Sequence, residues 1–78
     1  MCRIKARVCR GAIAAERVAY IKTVSGVIAE VVVAASQVSR DTIEVSEVTR
    51  DRDRVLIELP RESASGDWRL WVTRKQIL

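Results

Sequence analysis

Seventy-eight residues make one domain, at the size where a single hydrophobic core is just enough to hold a fold. Valine and isoleucine dominate an apolar set with no Phe and only three aromatics, Tyr20, Trp68 and Trp71, so the expected core is a thin aliphatic one between β-strands. A net charge of +4, two cysteines and no histidine remove the usual general base and the commonest metal ligand, and leave zinc without a ligand set.

Residues 2–9 alternate strictly. Cys2, Ile4, Ala6 and Val8 share one face, while Arg3, Lys5, Arg7 and Cys9 share the other, as in a half-buried strand with a basic outer stripe. With Arg10, the three cations of that stripe equal the net charge of the whole chain. They also interrupt any apolar signal segment, which points to a cytosolic, reducing setting with Cys2 and Cys9 as free thiols. In one extended strand these two would lie ~23 Å apart on opposite faces, so a disulfide between them requires a bend.

Residues 11–16 form the first connection, in which Ala12-Ile13-Ala14-Ala15-Glu16 has the composition of one helical turn. A second strand is expected at 17–24, a hairpin at Ser25-Gly26, and a third strand at 28–34. The apolar stretch 27–35 is interrupted by Glu30 and falls short of the ~20 residues of a membrane span. Ala35-Ser36-Gln37-Val38 is too polar to continue the strand and predicts a tight or 3₁₀ turn. Ser39-Arg40-Asp41 then links to the rest of the chain.

The fourth strand is expected at 42–49, where Ile43 and Val45 share a phase that Val48 breaks, so a bulge is predicted near Ser46-Glu47. Arg50-Asp51-Arg52-Asp53 is a solvated turn of alternating charge. The fifth strand, 54–59, directs Val55, Ile57 and Leu59 inward and stops at Pro60. After a polar loop at 61–67 comes the sixth strand, 68–73. Its phase places Trp68 with Leu70 and Val72 inside, and Trp71 with Arg69 and Thr73 outside. Arg74-Lys75-Gln76-Ile77 repeats the earlier turn.

The pattern is therefore written twice. Ile4-Lys5-Ala6 corresponds to Ile43-Glu44-Val45 and Gln37-Val38 to Gln76-Ile77 at an offset of 39, while Arg17-Val18 matches Arg54-Val55 at 37. A fixed period of this kind describes architecture. The expectation is an all-β single domain, 1–78, with internal repeats 1–39 and 40–78. Its six mostly antiparallel strands, arranged β-β-β twice with short 3₁₀ turns, form a small barrel or a compact sandwich. Reading 12–22 and 27–39 as helices conflicts with their valine content.

No motif names a reaction. Cysteines without a histidine partner are weak candidates for a catalytic nucleophile, the acids are scattered, and Gly11, Gly26 and Gly66 are isolated rather than grouped into a phosphate loop. The expected class is a binding protein, not an enzyme, with no cofactor and no metal. Its candidate binding residues are Arg3, Lys5, Arg7, Arg69, Trp71, Arg74 and Lys75. The stripe suits an acidic protein surface or nucleic acid, and it also suits simple edge protection. Trp71 beside Arg69 has the composition of an interface hot spot.

Trp71-Val72-Thr73-Arg74-Lys75-Gln76-Ile77 resembles the W-[IV]-P-x-S-Q-[IV] ending of small phage-encoded β proteins, with Thr73 in place of the proline and Lys75 in place of the serine. Val32-Val33-Ala34-Ala35-Ser36-Gln37-Val38 keeps the S-Q-V. As a whole the chain is similar to anti-CRISPR proteins, in particular small inhibitors of type I-C systems. That resemblance implies a phage origin and a bacterial cytoplasmic setting. It also implies stoichiometric binding to subunits of the guide-RNA effector complex, blocking target DNA. The chain's basic charge disfavours mimicry of DNA, so a basic face docking on an acidic effector surface is the mechanism expected. The alternatives are a small basic nucleic-acid-binding barrel and a structural phage component. A monomer is favoured over a dimer.

Overall fold

The structure, a computed structural model, describes all residues 1–78. It holds eight strands: β1 (Cys2–Lys5), β2 (Arg7–Arg10), β3 (Glu16–Lys22), β4 (Ile28–Ala34), β5 (Val38–Ser39), β6 (Thr42–Asp51), β7 (Arg54–Glu58) and β8 (Arg69–Thr73). One-turn 3₁₀ helices follow β4 at Ala35–Gln37 and β8 at Arg74–Gln76. All pairing is antiparallel. One sheet has the order β1-β6-β7-β8 with β5 on β6, the other is β2-β3-β4, and they do not close into a barrel. The fold is all-β, with eight strands where six were expected.

The additional strands have definite causes. The strand expected at 2–9 divides at Ala6, whose N–H donates to the carbonyl of Asp41 at 2.8 Å, so that β1 joins β6 while β2 joins β3. One length of chain thus serves both sheets. Val38 and Ser39, expected within a turn and a linker, pair with Ile43 and Thr42 to form β5. The connection expected at 11–16 is present as a loop at 11–15, with one turn closed by the N–H of Glu16 donating to the carbonyl of Ile13 at 3.1 Å and no helix. Val48 is the unpaired residue of a bulge between Glu47 and Thr49, where the broken phase predicted one.

Thirteen buried apolar residues from both sheets form one cluster, with Ile4, Ile21, Ile43, Ile57, Val31, Val33, Val55 and Val72 almost fully removed from water. Each such side chain contributes about 1.5–3 kcal/mol of transfer free energy. Trp68 is not among them. β8 starts only at Arg69, and Trp68 remains 53% exposed, which corrects its inward placement.

The hydrogen-bond register of the two halves matches. Ile4 faces Ile43 directly, and the pairs on either side, Arg3 with Glu44 and Lys5 with Thr42, exchange under a two-fold operation at an offset of 39. The Oε1 of Gln37 accepts the N–H of Ala34 at 3.0 Å, and that of Gln76 accepts the N–H of Thr73 at 2.9 Å. On the middle strand the equivalence is one residue away from the sequence match. Val33 pairs with Arg17 and Val72 with Val55, so Val55 corresponds to Arg17, at an offset of 38, and not to Val18. A slip of one residue exchanges the two faces of a strand. Accordingly Val55 is buried while Val18 lies half-buried on the outer face.

Loops guard the outer edges. The N–H of Val24 donates to the carbonyl of Trp71 on β8 at 2.9 Å, and that of Ala64 to the carbonyl of Glu30 on β4 at 2.8 Å. Edge strands β8 and β4 are therefore each engaged by the hairpin loop of the opposite unit, which limits their pairing with other chains.

Candidate binding surface

The basic stripe separates into two kinds of residue. Arg3 is half-buried, and its guanidinium is engaged internally. Nε donates to the Oγ1 of Thr42 at 2.8 Å, and Nη2 donates to the carbonyls of Gln37 and Thr42, both at 3.1 Å. This side chain joins β1 to β6 and to the first 3₁₀ turn. Lys5 and Arg7, by contrast, are exposed and form no ion pair.

Strand pairing supplies them with an aromatic neighbour. Arg7 lies directly opposite Tyr20, so both occupy the outer face of the β2-β3-β4 sheet. Lys5, Tyr20, Lys22, Thr73 and Gln76 line one open cleft of about 430 Å³. Gln76 closes it from the second half by donating Nε2 to the carbonyl of Lys22 at 2.8 Å. That bond, with the pairing of Ile77 to Ile4, brings the turn that carries the exposed Arg74 and Lys75 to the same end of the molecule. Lys5, Arg7, Lys22, Arg74 and Lys75 are all free of carboxylate partners there.

Arg69 and Trp71 sit on the other sheet, in a neutralised setting. Arg69 pairs with Glu58 across the β7-β8 ladder at 3.2 Å. Trp71 is half-buried, and the guanidinium carbon of Arg54 lies 4.5 Å from its ring centroid, a cation–π contact. Arg54 in turn meets Asp51 at 2.9 Å. A further open cleft of about 340 Å³ is lined by Val24, Val27, Asp67, Arg69 and Trp71, and it adjoins the Lys5 cleft across Val24.

Three participants escaped the sequence reading. Tyr20 and Lys22 join Lys5 and Arg7 only through the register of the β2-β3 hairpin, which depends on the length of a connection that alternation does not measure. Arg54 reaches Trp71 diagonally, from the position beside Leu56 that faces Thr73. Aligning the fifth and sixth strands as a hairpin would have shown that contact.

Cys2 is a half-buried free thiol whose pKa is raised, first by burial and then by the negative charge of Glu47. Glu47 is held below its ordinary range by its hydrogen bond from Arg50, formed through contacts of 2.7 and 2.9 Å. No three His, Cys, Asp or Glu side chains converge on a common point. Comparison with family models, with curated proteins and with solved structures finds no match.

Proposed function

We propose that this chain is a stoichiometric binding module which docks its basic end on an acidic surface of a protein partner. One observation carries the proposal: Lys5 and Lys22 line a cleft with Tyr20, Arg7 lies opposite Tyr20, the turn carrying Arg74 and Lys75 is joined to this end through Gln76, and none of these five cations has a carboxylate partner. Unpaired cations at one end create a directional field that steers association and selects acidic partners. Arg69 and Trp71, reached across Val24, extend the surface. The specific form of the proposal is an anti-CRISPR-type inhibitor, acting in the bacterial cytoplasm as a monomer. It binds a type I effector subunit and occupies the path of target DNA.

The test is capture of the effector complex by the tagged chain, with Lys5→Glu, Arg7→Glu and Lys22→Glu combined as the charge-reversed control. Capture by the wild type and its loss in the triple variant supports the proposal. Equal capture by both removes the basic end from it, and no capture of an effector removes the partner.

A second reading is favoured by Tyr20, because an aromatic ring among cations is also how single-stranded nucleic acid is held. Binding to random oligonucleotides with no protein present, falling steeply with salt, would select that reading. We further infer that the halves 1–39 and 40–78 descend from one duplicated β-β-β unit, a reading supported by the paired register at Ile4 and Ile43 and by the matching Gln37 and Gln76 bonds.

A further inference from the structure

At the far end of the β2-β3 hairpin two arginines face each other, for Arg10 is the cross-strand partner of Arg17. Like charges in directly opposed positions repel. Neither arginine forms an ion pair, and the neighbouring acid, Glu16, is directed to Arg61 at 3.5 Å. The corresponding pair in the second half is Arg50 opposite Val55, with Arg50 neutralised by Glu47. The uncompensated pair is particular to the first half.

Its surroundings are prepared for an anion. Arg10 and Arg17 line an open cleft of about 430 Å³ together with Gly11, Ala12, Ile13 and Ala14. Nη1 of Arg17 donates to the carbonyls of Ala14 and Glu16, both at 2.8 Å, which fixes the guanidinium against the loop and leaves its Nε and Nη2 without an acceptor in the chain. The loop is pinched shut by the N–H of Gly11 donating to the carbonyl of Glu16 at 3.1 Å. The N–H groups of Ala12, Ile13, Ala14 and Ala15 have no acceptor within the chain.

We propose that the Arg10–Arg17 cleft binds a phosphate group, whose oxygens take the two guanidinium forks and the free N–H groups of the loop that lines it. Guanidinium matches phosphate geometry bidentately, and successive backbone N–H groups form anion-binding concavities. A bound dianion or diester also turns the repulsion between the arginines into shared attraction. This site is separate from the basic end around Tyr20 and does not depend on the docking reading.

The experiment is an NMR titration of backbone amides and arginine Nε–H groups, with inorganic phosphate in one arm, pentathymidylate in the other, and sodium chloride at matched ionic strength as the control. Saturable shifts are expected at Ala12, Ile13, Ala14, Arg10 and Arg17. Arg17→Gln should abolish them, and Arg10→Gln should weaken binding about tenfold or more. Arg52→Gln, in the opposite turn, should leave them unchanged. Tighter binding of the oligonucleotide identifies the group as a nucleic-acid phosphodiester, and tighter binding of the ion identifies a small phosphate. Without ligand, Arg10→Gln should melt about 1–5 °C higher as the repulsion is lifted, which also shows that the variant folds. Shifts no larger than those with chloride, shifts spread evenly over the cations, or shifts that survive Arg17→Gln would overturn the proposal.

Discussion

Replacing Arg3 by Ala should destabilise the fold, whereas replacing Lys5 or Arg7 should not. Arg3 makes three hydrogen bonds, two that cross between the halves to the hydroxyl and carbonyl of Thr42 and one within the first half to the carbonyl of Gln37. Bonds from a charged donor to buried acceptors are worth ~1.5–3 kcal/mol each, but here the donor is half-buried and water replaces part of what is lost, so ~0.5 kcal/mol per bond is the appropriate scale. The sum is about 1.5 kcal/mol, equivalent to a fall in Tm of about 6–12 °C for a domain of this size. Exposed Lys5→Ala and Arg7→Ala should stay within ~0.5 kcal/mol of the wild type. Arg3→Lys should recover little, because an ammonium cannot reproduce the planar fork that reaches acceptors on two segments. Thermal melting followed by far-UV circular dichroism, run with partner capture, separates the two roles. If Arg3→Ala melts with the wild type while Lys5→Ala or Arg7→Ala falls by that amount, the division of the stripe into clamp and docking residues is wrong.

Ile57→Ala removes a β7 side chain with no exposure and should cost about 2–5 kcal/mol in urea unfolding, enough to threaten a domain this small. In Gly11→Ala the new Cβ would stand 2.8 Å from the backbone carbon and oxygen of Glu16, so the loop must open, with a loss of about 1–3 kcal/mol in the same assay and altered amide shifts at Arg10 and Arg17. Cys9, exposed on an edge strand, should be alkylated well before Cys2, whose burial and raised pKa both suppress the thiolate; mass spectrometry of partly labelled protein gives the order. The depressed pKa of Glu47 means that its contribution is present above about pH 4.5 and lost as pH falls further, so the difference in Tm between wild type and Glu47→Gln should narrow between about pH 5 and pH 3.

Alternation and period made much of the fold legible. Ile43 and Val45 in one phase with Val48 in the other located the bulge, and the polar Gln37 and Gln76 segments located both 3₁₀ turns. The division at Ala6 was invisible for a physical reason. Inward and outward side chains continue to alternate through residues 2–9, and only the hydrogen-bonding partners change, from β6 to β3. The match of Arg17-Val18 to Arg54-Val55 followed identity where facing was decisive, and an Arg-Val dipeptide recurs without recurring in phase. Phase also misplaced Trp68, since it is informative only where the residue lies within the strand. At the candidate surface, Lys5, Arg7, Arg74 and Lys75 were legible as exposed cations, but the length of Arg3 gave no sign that it would reach across to Thr42.

The two halves share a scaffold and differ in charge. Residues 1–39 hold six cations and two acids, and residues 40–78 hold eight of each, so the whole net charge of +4 belongs to the first half. Pairing deepens the difference. Arg7 opposite Tyr20 and Glu30 corresponds to Ser46 opposite Glu58 and Arg69, where Glu58 and Arg69 neutralise each other. Arg10 opposite Arg17 corresponds to Arg50, held by Glu47, opposite Val55. Even Glu16, one of the first half's two acids, is drawn toward Arg61 of the second. Stability does not require this asymmetry, because the second half forms the same strands with its charges compensated. On the docking and phosphate proposals, the surplus lies at the basic end around Tyr20 and at the arginine pair of the β2-β3 hairpin, the two places where an anionic partner would recover the electrostatic cost.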